Sequence, residues 1–114
     1  MKKVYLVLSI AFISFAGCKK GDLNLFSIED DKSLGQQTVN QILEDPQQFP
    51  VLSRTQYTQQ YAYLDNMRNE ILNSGQVRYK TEFEWQLYII NDPNTQNAFC
   101  TPGGYIFIYT GLIK

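Results

Sequence analysis

Apolar residues recur with three different rhythms along this chain. Residues 4–16 (V-Y-L-V-L-S-I-A-F-I-S-F-A) run for thirteen positions without a charge. Beyond them the apolar positions thin to a stripe. Ile28, Val39, Ile42 and Leu43 predict a first helix, capped at its start by Ser27, whose hydroxyl can accept an orphan amide. Glu29, Asp30 and Asp31 crowd its first turn, where negative charge suits the helix dipole. Asp45-Pro46 ends it, because proline disfavours helix in the residue before it. Tyr57, Tyr61, Leu64, Met67 and Ile71 then recur at spacings of four, three, three and four, one face of a second helix. Its tyrosines read as core rather than as a stacking surface for carbohydrate or peptide. Ser53-x-x-Gln56 reads as a capping box with Leu52 and Tyr57 as a hydrophobic staple, and Gly75 as the left-handed stop. From residue 85 the pattern shortens. Residues 85–90 (W-Q-L-Y-I-I) and 105–110 (Y-I-F-I-Y-T) are aromatic and β-branched runs bounded by turn residues, and so predict strands. Residues 97–100 can pair antiparallel with the second run across Thr101-Pro102-Gly103-Gly104, whose Pro and Gly suit a type II turn. The expected fold is α+β: two N-terminal helices followed by a small, mostly antiparallel sheet. No internal repeat or low-complexity segment appears.

Composition narrows what such a fold can do. The chain has 114 residues, with 10 Lys+Arg, 11 Asp+Glu, two Cys and no His. A net charge of −1 leaves no basic footprint, so nucleic acid is not an expected partner. Without histidine there is no Ser-His-Asp triad, Cys-His dyad or His-based zinc site within these residues, and two cysteines cannot make a four-thiolate site. No metal site is therefore expected in this chain. Cys100 reads as a buried, unpaired thiol, since a catalytic cysteine needs a base nearby.

The first apolar run is too short for a hydrocarbon core of about 30 Å, which takes roughly 20 helical residues. After Lys2 and Lys3 it fits the h-region of a secretory signal. Ala16-Gly17-Cys18 then resembles the lipobox of bacterial lipoproteins, with Phe15 where leucine is usual. An ordinary signal peptide with an incidental cysteine is the competing reading. The resemblance implies that Cys18 is lipidated and becomes the new N-terminus, the partner being a membrane. Residues 1–17 are then a signal peptide, and 18–26 the lipidated cysteine and tether. Loss of Lys2 and Lys3 takes the net charge from −1 to −3. By resemblance to enteric lipoproteins, Lys19 rather than Asp directly after the cysteine implies the outer membrane; the domain is expected to face the periplasm of the cell envelope, and the choice of leaflet stays open.

A second resemblance rests on residues 91–112. Asn97-Ala98-Phe99, then Pro102-Gly103-Gly104-Tyr105, the alternation Ile106-Phe107-Ile108, and Thr110-Gly111-Leu112 together resemble the segment just upstream of the zinc site in HtpX-like metallopeptidases. That family includes the CAAX prenyl protease and envelope quality-control proteases. The resemblance implies that residues 27–114 are the N-terminal part of a zincin-like catalytic domain, truncated before the H-E-x-x-H helix that binds Zn²⁺. The full-length parent would be a zinc endopeptidase acting on envelope proteins, while this chain alone would bind no zinc and cleave nothing. It also implies that Asn97, Gly103, Gly104 and Tyr105 belong to a ribbon along which a peptide substrate lies extended, paired through its backbone. For Gly103 and Gly104, close backbone approach and service to the turn alone both stay open, and Asn97 reads as satisfying backbone groups sooner than as binding substrate. The alternative function is a small, non-enzymatic lipoprotein that binds a partner or peptide along the sheet edge.

Overall fold

The computed structural model describes residues 25–113. The signal peptide, the lipidation site Cys18 and the tether as far as residue 24 lie outside the described residues. Two helices precede three strands: α1 (Ile28–Leu43), α2 (Thr58–Asn73), β1 (Leu87–Ile90), β2 (Ala98–Thr101) and β3 (Tyr105–Tyr109). The fold is α+β. Among the described residues no helix is long and apolar enough to cross a membrane.

The first helix forms where the sequence places it. Ser27 is the N-cap; its hydroxyl accepts from the Asp30 amide while the Asp30 carboxylate accepts from the Ser27 amide, a complete capping box. The second helix starts later than expected. Ser53 does not cap it: residues 53–57 form turns on the Ser53 carbonyl, the Ser53 hydroxyl meets that of Thr55, and Tyr57 stands at the N-cap position with no side-chain bond. The box-like spacing was misleading because Arg54 is pulled away toward Asp65 and β1, which holds this stretch as a turn. The end at Ser74 and Gly75 is as expected, with Gly75 at φ +79°.

The sheet is mixed rather than mostly antiparallel. Its order is β1-β3-β2, with β3 parallel to β1 and antiparallel to β2. The chain leaves β1, skips a strand's width, returns as β2 and turns back into the gap. That central slot suits Tyr105-Ile106-Phe107-Ile108-Tyr109, whose side chains find apolar neighbours on both faces of the sheet. Regular pairing starts only at Leu87, because Trp85 takes φ +48° and breaks the extended run.

The two helices pack on opposite faces. Val39 and Ile42 of α1 meet Ile90, Tyr105 and Phe107, joined at the margin by Tyr88, Phe99 and Tyr109. Tyr61 and Leu64 of α2 meet Leu87 and Ile89, with Ile106, Ile108 and Ile113 at the margin. Phe107, Ile89 and Ile90 are fully buried, each contributing roughly 2 kcal/mol. On the α1 face Tyr88, Phe107 and Phe99, opposite one another across the three strands, stack with ring centroids 5.0 and 4.8 Å apart. The rest of the predicted α2 stripe is not core: Met67 and Ile71 are 45% and 57% exposed. The reason is coverage, since α2 lies over β1 and leaves its C-terminal half without a facing element.

Candidate functional site

The sheet has two outer edges, and the sequence treats them differently. The edge of β1 is sealed. Leu52 donates its amide to the Ile89 carbonyl at 2.8 Å, and the Asn91 amide donates to Pro50 at the same distance. The Tyr61 hydroxyl accepts from the Ile89 amide and donates to the Leu52 carbonyl at 2.7 Å. Two guanidinium groups finish the job: Arg54 donates to the Leu87 carbonyl at 2.8 Å and Arg68 to that of Trp85 at 3.0 Å.

Asp65 holds both arginines in place, 2.7 Å from Arg54 and 3.0 Å from Arg68. The hydrogen bond from Arg54 keeps its carboxyl below the usual aspartate range. Arg54 also lies 4.3 Å from the Tyr61 ring centroid, and burial pushes the Tyr61 phenol up. Sequence reasoning missed this cluster. Its signal was present, because Tyr61, Asp65 and Arg68 share one helical face beside the apolar stripe.

The edge of β2 is open. Its inner side pairs with β3, and no described strand pairs with its outer side. Such an edge carries a row of unpaired backbone donors and acceptors that can pair with an extended peptide. Asn97 stands exposed at its start; its carboxamide oxygen accepts from the Ala98 amide at 2.8 Å, and its carbonyl accepts from Tyr109.

The other three ribbon residues lie elsewhere. Gly103 and Gly104, at φ +82° and +88°, make the turn into β3. A Cβ on Gly103 would come within 3.1 Å of the Asp31 carbonyl on α1, and one on Gly104 within 2.8 Å of the Phe83 Cβ. Tyr105 is buried and donates its hydroxyl to Gln36 of α1 at 2.9 Å. The close approaches that these glycines allow are thus to α1 and to residues 83–85, at the far end of the ribbon from Asn97.

Beside the open edge lies an open face. On the α2 side of the sheet Ile106 and Ile108 sit opposite Cys100 and Ala98, and both of the latter are exposed. Cys100 is therefore not the buried thiol that the sequence suggested. It points to the face of β2 that α2 does not reach. Next to it, between α2 and the same face of β1 and β3, runs an apolar cleft of about 170 Å³, lined by Leu64, Met67, Arg68, Ile71, Leu72, Val77, Trp85, Leu87, Ile106 and Ile108.

The segment after β3 is fastened tightly. Asp92 accepts from the Thr95 hydroxyl at 2.6 Å and from the Asn94 amide, which keep its carboxyl low, and its carbonyl accepts from Gly111. At Gly111 a Cβ would lie 2.2 Å from the Thr95 carbonyl oxygen, so the Thr110-Gly111-Leu112 stretch needs glycine for packing.

No three His, Cys, Asp or Glu side chains among the described residues come together in a way that could hold a metal, and the sequence has no histidine. These residues do not fit a zinc site, and no hydrolytic step is assigned to them.

Compared with known families, residues 58–114, half of the chain, match the model of Peptidase family M48. The match takes in α2, the three strands, the open edge and the open face, but not Pro50, Leu52 and Arg54, which help to seal β1. No curated protein matches the chain.

Proposed function

Because this chain belongs to peptidase family M48, we propose that it is the N-terminal portion of a membrane-anchored zinc metalloendopeptidase that cleaves peptide bonds in envelope proteins. Its metallopeptidase origin follows from the family; the zinc, the anchor, the envelope substrates and the inactivity of the isolated chain are the proposal. The observation that carries it is a coincidence of features within the matched residues: an unpaired β2 edge and, on the α2 side of the sheet, a bare face where exposed Ala98 and Cys100 adjoin Ile106 and Ile108 of β3. An extended substrate pairs with the first. A further element carrying the metal ligands packs on the second, reached by chain that follows Ile113, which already rests on the α2-side cluster.

In this reading Asn97 marks where the substrate strand begins. Gly103 and Tyr105, docked on α1, and Gly104, docked on residues 83–85, set the angle of the ribbon. Zinc, when bound by the parent, supplies the Lewis acid; this chain supplies the strand that orients the peptide and the sealed β1 edge that restricts pairing to β2. Cys18 carries the lipid that holds the protein on the outer membrane, facing the periplasm.

The test is to isolate the gene product from its own cells. The expected result is a protein heavier than 13.2 kDa that contains zinc and cleaves an unfolded envelope protein, with cleavage lost on chelation. A product no heavier than this chain, free of zinc and without proteolytic activity, would overturn it. That outcome would favour the second reading, a lipoprotein that binds extended peptides, which the open β2 edge supports because the described residues form it without any metal.

A further inference from the structure

We infer that the outer face of α1 docks on a lipid surface, with Leu25, Phe26 and Leu34 as its apolar contacts. The inner face of α1 is fixed by packing: Gly35 abuts the Pro102 carbonyl, and Val39 and Ile42 enter the core. Opposite them, Asp30, Ser33, Leu34 and Gln37 line a shallow cleft of about 420 Å³ that Leu25 and Phe26 complete. Leu25 is 86% exposed, Phe26 58% and Leu34 46%. Three large apolar side chains thus gather at one end of a helix whose outer face is otherwise polar.

The tether identifies the occupant. Leu25 stands seven positions after Cys18, and seven residues reach at most about 25 Å when fully extended. If the thiol of Cys18 carries acyl chains in a bilayer, the start of α1 is confined to the neighbourhood of the headgroups. There a cluster of leucine and phenylalanine beside a polar helix face enters the interface and adds a second attachment to the lipid anchor. Asp30, the acidic residue that lines this cleft, is engaged by the amide and hydroxyl of Ser27. The open cleft beside α2 lies on the other side of the sheet and remains free in this orientation.

This inference rests on the lipidation of Cys18, and the experiment separates the two. The full-length lipidated protein is placed in phosphatidylcholine vesicles with a nitroxide on Leu25→Cys or Leu34→Cys, each combined with Cys100→Ser. Asn66→Cys, on the exposed side of α2 and in the same Cys100→Ser background, provides the reference. Collisions with a water-soluble nickel chelate should be several-fold rarer at positions 25 and 34 than at 66, and collisions with oxygen more frequent. If mass spectrometry shows acylated Cys18 while positions 25 and 34 meet the chelate as often as position 66, the docking is wrong and the anchor stands. An unmodified Cys18 overturns both.

Discussion

In an exposed helix interior, alanine is about 1 kcal/mol more favourable than glycine. At Gly35 the sign reverses, because an added Cβ would lie 2.0 Å from the Pro102 carbonyl oxygen and 2.8 Å from its carbon. Backbone cannot swing aside as a side chain can, so α1 would have to lift off the β2–β3 turn. Gly35→Ala should destabilise the fold by about 2 kcal/mol, as overpacking does, measured by urea denaturation of the isolated gene product. A rise in stability would show that α1 does not contact this turn. Asp65 offers a test by pH. Its folded carboxyl titrates below the ordinary aspartate value of 3.8 because Arg54 donates to it. The stability it contributes is therefore complete above that value, and is lost as pH falls from there through its lower folded value. Arg54 is 47% exposed, so the contribution is below about 1 kcal/mol after solvent screening. Asp65→Asn should flatten this part of the pH profile and leave the neutral-pH arm lower.

At the scale of elements, the two helix starts make opposite predictions from similar sequence. Ser27→Ala removes a cap that is formed and should cost about 1 kcal/mol. Ser53→Ala removes a hydroxyl that meets only Thr55 and should stay within about 0.5 kcal/mol of the parent. Thermal unfolding of the two variants side by side checks both. Helix and strand positions were legible because each rests on local signals: the Ser27 cap, the stop at Gly75, the alternating run at 105–109 and the Pro-Gly turn. Strand order was not legible. Whether β3 lies beside β1 or beyond β2 depends on contacts between residues some twenty positions apart, and nothing in the 91–97 loop announces a skipped slot. The start of α2 failed for the same reason, since the long-range pull of Asp65 and β1 on Arg54 outweighs a local capping pattern.

At the scale of the molecule, the described residues make a three-layer unit with one layer unfinished. The α1 face is filled, down to the aromatic stack of Tyr88, Phe107 and Phe99; the α2 face leaves Met67, Ile71 and the Ile106–Ile108 pair around an apolar cleft. Apolar faces of this kind cause self-association when nothing covers them. The chain expressed alone should bind hydrophobic dyes, and Ile71→Glu should reduce that binding and slow aggregation without lowering the free energy of unfolding by more than about 0.5 kcal/mol, the usual range for exposed sites. Of the candidate site, the ribbon was legible from Asn97-Ala98-Phe99 and Pro102-Gly103-Gly104. Which of its residues stay at the edge was not: Gly103 and Tyr105 are drawn to α1 and Gly104 to residues 83–85, and Cys100 comes to the surface because the face it occupies is bare. The central claim is that this bare face and open edge belong to a zinc peptidase whose ligands lie further along the polypeptide. Sequencing the messenger RNA beyond codon 114 tests it most directly. The account predicts an uninterrupted frame that encodes H-E-x-x-H within a few tens of codons; a stop codon directly after Lys114 would contradict it.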